Sequence, residues 1–399
     1  MEPTHPAADP LAQALAVFTP NVRPRRVFVR GEGARIWDRD GRAYLDFLAG
    51  IGVNLYGHCH PRLVAAVRQQ VGTLGHVSNL FVAPPTLALA QELVQRTFAG
   101  RVCFTNSGAE AIEAGLKLAR GYFRKVRGED RFEIVATVGG FHGRTLGALA
   151  CTGTPKYHKG FEPLPGGVVH VPYGDADAVA QACGPHTAAI LVEPIQGEGG
   201  VVVPPAGYLA RLRAIADAAG CLLFLDEVQT GLGRTGTLFA YEPEGVTPDL
   251  LATAKGLGGG LPLGALLATA EVAAGFGPGS HGTTVGGNPL ACAAGLAGLE
   301  LLAAGLLETS RQAGAQLHAG LDDLARRHPD RIREVRGRGL LLGLLLASPA
   351  SEVMDRALLR GLLVNTAGPK VLRILPPLTL DPAEIAEGLA LLEAALTAT

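Results

Sequence analysis

Along residues 27–46 apolar and polar positions alternate, and two turn sites, Gly31-Glu32-Gly33 and Arg39-Asp40-Gly41, interrupt the run. That pattern predicts a β-meander. Residues 61–72 and 85–98 then carry apolar side chains at helical spacing. From residue 101 the texture changes: the short runs 102–105, 134–138, 189–193, 222–226, 250–253 and 265–268 are apolar along nearly their whole length. Helical segments such as 110–125 and 207–219 stand between them. Strands that lack an alternation of inside and outside are buried on both faces. The pattern therefore predicts an α/β fold, with a mostly parallel sheet covered by helices.

Beyond about residue 300 the order differs: a helix over 308–326, a strand pair within 331–347, a helix over 351–360, a strand stopped by Pro376 and a closing helix over 382–396. These predict a small α+β domain. The expected organisation is a large domain over 59–298 and a small one made of the C-terminal segment 299–399, completed by the N-terminal segment 1–58.

Composition narrows the classes of function. Of 399 residues, 48% are hydrophobic and 18% charged, the balance of a folded chain with a large core. The formal net charge of −1 offers no basic field to nucleic acid or to an anionic membrane. The opening MEPTHPAADP has acid and proline where a leader needs basic and then apolar residues. The charge-poor stretches 256–270 and 339–351 are broken by Gly or Pro, so neither predicts a membrane span. A soluble, cytoplasmic protein is expected. Its six cysteines form no C-x-x-C pair, which agrees with a reducing compartment and no disulfide framework. His58-Cys59-His60 is the one cluster with the look of a metal site, but adjacent side chains diverge and no further ligand follows at metal spacing; no metal is expected.

Against this background a few polar residues stand out. In CLLFLDEVQTGLGRTG, residues 221–236, an apolar strand ends at Asp226-Glu227. The carboxyl rim of an open α/β sheet is where ligands bind, although an acidic pair equally suits the turn that follows. Next, PDLLATAKGLGGGLPLGALLAT (248–269) runs a strand into Lys255 and a glycine cluster that lets a ligand approach the backbone. Lys255 is one of only six lysines, and the one in an apolar, glycine-lined setting. An amine taken out of water loses affinity for its proton and becomes nucleophilic, as Schiff-base chemistry requires. A lysine snorkelling from a strand end into solvent has the same local sequence. A carboxylate on a neighbouring strand end could pair with a protonated pyridine nitrogen and keep that ring an electron sink.

Ser107 and Glu110 have capping-box spacing where a helix begins, with Gly108 and Ala109 between them. Such a start offers a hydroxyl and free N–H groups to a phosphate, though most capping boxes bind nothing. Phe141-His142-Gly143-Arg144 follows a strand and a glycine pair. Its aromatic ring suits stacking on a planar ligand, its arginine suits a carboxylate, and its histidine a structural hydrogen bond. Glu193 and Glu198 fall in a rim loop, 192–200, where solvation is the simplest expectation. Arg373 is a lone arginine on an apolar strand, which asks for an anionic partner.

Taken with GHCHP, NSGAEAIEAGLKLAR, GFHGRTLGAL, EPIQGEGG, LDEVQTGLGRTG, ATAKGLGGGLPLGA, HGTTVGGNPLAC and VLRILPPL, these residues resemble the class III (ω-amino acid) aminotransferases of the fold-type I pyridoxal-phosphate superfamily. The likeness runs from about residue 18 to the C-terminus and is greatest to the members that act on N2-acetylornithine. It implies a sheet of the seven-stranded type, and pyridoxal 5′-phosphate as cofactor, held as a Schiff base by Lys255, which also shuttles the proton. It places Asp226 on the pyridine nitrogen, Gln229 at the 3′ oxygen and Phe141 on the ring face. Ser107, Gly108 and Ala109 would hold the phosphate, joined by Thr284 of the partner subunit in a homodimer with active sites at the interface. Arg144, with Thr283 nearby, would take the α-carboxylate of acetylornithine. Arg373 would take that of glutamate or 2-oxoglutarate, with Glu198 as its reversible partner. Ile112 and Val285 depart from the polar and the aromatic residue common at those positions.

The implied reaction carries the δ-amino group of N2-acetylornithine to 2-oxoglutarate, giving N-acetylglutamate 5-semialdehyde and glutamate, a step of arginine biosynthesis. Acetylation leaves the donor one reactive amine. Ornithine, succinylornithine, N-succinyl-diaminopimelate, 4-aminobutyrate and carrier-linked lysine are the rival donors within the family. An aminomutase of the glutamate-1-semialdehyde type needs no second substrate, and the presence of Arg373 and Glu198 argues against it. A cofactor-binding regulator without turnover would need a damaged catalytic set, and every expected position is filled.

Overall fold

Seven strands form the central sheet, in the spatial order Arg101–Thr105, Gly264–Ala268, Leu250–Thr253, Leu222–Asp226, Thr187–Val192, Glu133–Thr137 and Val168–Val171. Only Gly264–Ala268 runs antiparallel to its neighbours; the remaining pairs are parallel, as expected. The strand missing from the sequence reading is Val168–Val171. It has four residues, follows a glycine pair and carries His170, so its pattern is that of a loop. The computed structural model describes residues 9–21 and 23–398, so residues 1–8 of the stretch read for a leader lie outside it.

The two faces of the sheet are told apart by residue parity. Leu223 and Leu225 belong to one buried cluster, Leu222 and Phe224 to another. The second cluster includes Ala111, Ile112 and Ala114 of helix Gly108–Tyr122. This helix lies directly on the sheet because Gly115 faces Phe224, where a Cβ would fall 2.2 Å from the ring. Since strand side chains alternate, Asp226 falls on the Phe224 face, the same side as that helix. The start of the helix and the end of the strand thus meet at one rim.

Outside the sheet, Phe28–Glu32, Arg35–Asp38 and Ala43–Asp46 form the expected meander, and Leu362–Leu363 adds a parallel strand to it, with Leu362 opposite Leu45. A third sheet orders Ile332–Arg338, Leu341–Leu346, Val371–Ile374 and Asn365–Thr366. It carries Arg373 opposite Gly343 on one side and Asn365 on the other. Helices Leu307–Arg327 and Ala350–Arg360 pack on it.

The helical stretch Pro289–Arg327 has a window of mean hydropathy 2.0, long and apolar enough to cross a membrane. Its first part, Pro289–Leu301, instead packs against helices Pro61–Val71 and Pro84–Arg96 and against the turn Lys255–Gly258, so it is the core helix that backs Lys255. All six cysteines are free. His58 spends its ring on Asp46 at 2.7 Å, and no group of three or more metal-ligand side chains occurs among the described residues.

Candidate active site

Parallel pairing sets Asp226 opposite Ala252, and just past the end of that second strand the chain reaches Lys255. Lys255 has φ 47°, the left-handed region that non-glycine residues seldom adopt. Such strain persists only where the surrounding structure imposes it, and it gathers at functional sites. A cavity of about 460 Å³ opens at this rim, and Lys255, Asp226, Ser107, Gly108, Ala109, Phe141, Gln229 and Arg144 all line it.

Each end of the cavity has its own chemistry. At one end Ser107 caps helix Gly108–Tyr122, its Oγ accepting from the Glu110 N–H at 3.2 Å. The reciprocal half of the expected capping box is shifted: the Glu110 carboxylate accepts from Asn106 N at 2.6 Å, not from Ser107 N. The Ser107 O–H is left to donate, at the positive end of a helix of fifteen residues. At the other end Asp226 is buried, its Oδ1 accepting from Val228 N at 3.0 Å and its Oδ2 facing His142 Nδ1 at 2.8 Å. Burial lowers the Lys255 pKa, with Glu198 pulling the other way and Arg373 reinforcing it. The residues present fit pyridoxal phosphate: a helix start that could take an anion, an aromatic side chain in the cavity wall, a buried carboxylate that could pair with a protonated nitrogen, and an amine of lowered basicity.

Beside the cavity lies the second expected pair. Arg373 is 1% exposed and ion-paired with Glu198. Gln229 completes a triangle, accepting from Arg373 Nη1 at 3.0 Å and donating to Glu198 at 3.3 Å. Its amide is thereby engaged on both sides. The Glu198 loop can come this close because Gly197 has no side chain; a Cβ there would lie 2.1 Å from the Gln229 amide oxygen. Burial works against the Glu198 carboxylate, but the Arg373 guanidinium outweighs it and holds the pKa below the usual range. Neither residue lines the cavity itself.

The threonines stand apart. Thr283 Oγ1 accepts from the Asn106 amide at 3.1 Å, which ties its loop to the turn before Ser107, and Thr284 is exposed. Neither lines the cavity within one chain.

Three residues acquire roles that the sequence reading did not assign. His142 is indeed a hydrogen-bonded histidine, but its partner is Asp226. Glu193 is buried rather than solvated, accepting from Phe141 N at 2.9 Å and from Gly197 N at 3.1 Å, so it joins the aromatic loop to the Glu198 loop. Tyr157 lies against Arg144, its ring centroid 3.8 Å from the guanidinium carbon. Glu193 left a trace in sequence as a carboxylate at the end of an apolar strand, and His142 as a structural histidine, but the partner of His142 lies 84 residues along the chain.

Residues 17–396 match the family of class III aminotransferases. The chain is 54% identical to an acetylornithine aminotransferase of Streptomyces coelicolor over 90% of this chain and 87% of that protein. Among solved structures it superposes on an ornithine aminotransferase of Toxoplasma gondii with a TM-score of 0.93, at 34% identity, covering 96% of this chain and 93% of that one. On an N-acetylornithine aminotransferase of Stenotrophomonas maltophilia the TM-score is 0.83, at 39% identity, over 96% and 98% of the two chains.

One consequence of this buried acidity is measurable. Glu227, next to Asp226, is fully buried, and burial pushes its pKa up to about 7 despite hydrogen bonds from Thr230, Ala240 and Tyr241. A carboxyl group with a folded pKa above its unfolded value binds more protons when folded. Its stabilisation is full below about pH 4.5 and is lost as pH rises through 7. Glu227→Gln should therefore lose less stability than the wild type between pH 5 and 7.5, as read from urea midpoints. Parallel profiles for the two proteins would refute this.

Proposed function

We propose that this chain, which belongs to the class III aminotransferases, transfers the δ-amino group of N2-acetylornithine to 2-oxoglutarate, giving N-acetylglutamate 5-semialdehyde and glutamate. It is a pyridoxal-phosphate-dependent enzyme. The observation that carries the choice of substrates is the presence of two arginines in different states. Arg144 lines the cavity and is exposed. Arg373 is buried and masked by Glu198. A donor with a distal carboxylate and a second substrate with a proximal one need such a pair. The identity to the Streptomyces coelicolor protein supports acetylornithine as the donor.

Pyridoxal phosphate, when bound, supplies an electron sink for the carbon that carries the reacting amine. The residues supply the rest. Ser107, Gly108 and Ala109 would anchor the phosphate at the helix start, Phe141 would cover the ring, and the Asp226 carboxylate, steadied by His142, would pair with the ring nitrogen. Lys255 would hold the cofactor, and its Nζ, whose affinity for a proton burial lowers, would take and return the proton at the donor carbon. Arg144 orients acetylornithine by its carboxylate. Glu198 neutralises Arg373 during that half-reaction and swings aside when glutamate or 2-oxoglutarate arrives.

The same reading makes the active unit a homodimer. Thr284 is exposed in its own chain, in a loop flanked by exposed Val285, and Leu80, Phe81 and Val82 form a further exposed apolar run 67–85% accessible. A patch of that kind marks an interface. We also infer a large domain over 59–298, a small one made of 1–58 and 299–399, and a cytoplasmic location; the separate sheets and the bacterial relatives support these.

The reading makes three predictions. Lys255→Ala should abolish turnover and the yellow colour of the holoenzyme, and borohydride should fix the cofactor of the wild type to Lys255; a label on another lysine would sink the assignment. Sedimentation should find activity only in the dimer, and a fully active monomer would overturn the shared site. Glu198→Ala should raise reactivity toward glutamate while slowing acetylornithine. If unmasking the guanidinium is worth about 3 kcal/mol, the ratio of single-turnover rates moves by about 10²-fold. Equal falls for both donors would mean that Glu198 only supports the site. Ornithine, succinylornithine and 4-aminobutyrate assayed alongside would expose a different preferred donor.

A further inference from the structure

Arg144 sits at the mouth of the cavity, and aromatic rings rather than an acid are what its guanidinium rests on. Its Cζ lies 3.8 Å from the Tyr157 ring centroid and 5.3 Å from that of Phe141. The two rings meet edge to face, 6.0 Å apart with an interplanar angle of 85°. Tyr157 ends the short turn Pro155–Tyr157 and does not itself line the cavity. Lys156, next in the chain, brings its ammonium within 4.9 Å of the same ring and adds to the positive field at this mouth.

Both sides of the stack are pinned to one residue. Thr152 is fully buried; its Oγ1 accepts from His142 N at 2.9 Å, and its carbonyl accepts from His158 Nε2 at 2.7 Å. The first bond holds the segment that carries Phe141 and Arg144. The second holds the turn that carries Tyr157. Ring and guanidinium therefore keep a common frame.

An exposed arginine has many rotamers, and ordering them on binding costs affinity. A ring under the guanidinium removes part of that freedom while leaving the N–H edge free to fork onto a carboxylate. We propose that Tyr157 is a positioning residue that orients Arg144 for the carboxylate of the amino donor, and so helps to set donor specificity. The inference rests on the reading of Arg144 as the donor-carboxylate residue.

The test uses the holoenzyme and N-acetylnorvaline, which has the carboxylate and the acetyl group but no reacting amine. Tyr157→Leu should weaken calorimetric binding about fivefold and raise KM for acetylornithine equally. Its kcat should not change, while its KM for glutamate, whose α-carboxylate goes to Arg373 but whose second carboxylate is distal like that of acetylornithine, should rise as well. Tyr157→Phe keeps the ring and should bind like the wild type. Unchanged binding in Tyr157→Leu, where Arg144→Ala loses it, overturns the proposal and spares the reading of Arg144. Unchanged binding in both variants removes that reading and the proposal with it. A fall in kcat that accompanies the loss of binding marks a purely structural role for Tyr157 and overturns the proposal as well.

Discussion

Parallel pairing between Leu222–Asp226 and Leu250–Thr253 is the constraint on which the remaining geometry hangs. Because side chains alternate along a strand, a slip of one residue would send Asp226 to the opposite face and away from helix Gly108–Tyr122. In the register observed, the carboxylate, the lysine just past the neighbouring strand and the helix start all converge on one rim. Phe224 and Gly115 hold that register from within, since the helix seats on the sheet at the point where one residue has a ring and the other no side chain. Packing and chemistry are thus decided by the same contact.

The two arginines show how burial dictates the form of a binding group. Arg373 is almost wholly enclosed, where an unpaired charge is costly, so it is held by Glu198, by Gln229 and by Asn365 at 3.1 Å. Any carboxylate that binds there has to replace an internal one. Arg144 is exposed, water already stabilises its charge, and what it needs is direction rather than neutralisation; aromatic faces supply that. The buried arginine is therefore suited to switching and the exposed one to standing recognition. Glu193 links the two regions, since it accepts one hydrogen bond from each of the loops that carry Phe141 and Glu198.

Much of the fold was legible in the chain because fully buried strands announce themselves by continuous apolar runs. The exceptions have local causes. Val168–Val171 is too short and too polar at His170 to stand out between its glycine and proline neighbours. The capping box at Ser107 was right in spacing but not in partner, since Asn106 competes for the Glu110 carboxylate with both its backbone and its side-chain N–H. The solvated reading of Glu193 failed because its carboxylate is buried and accepts from two backbone N–H groups, whereas Glu198 pairs with Arg373 as the resemblance implied.

By itself the sequence determined which residues are of the right chemical type and on which element each one rides: a lysine after one strand, an aspartate at the tip of another, a serine before a helix, an arginine inside an apolar strand. These are local properties, written in periodicity and composition over a few residues. Beyond the Arg373–Glu198 pair, which the family resemblance implied, tertiary structure alone decided the partners: His142 against Asp226, Gln229 against Arg373, Tyr157 against Arg144. The first two span up to 144 residues of chain, and the third depends on two loops anchored to Thr152. Contacts of that kind arise only when strand order and helix packing close the chain on itself, and no local pattern encodes them.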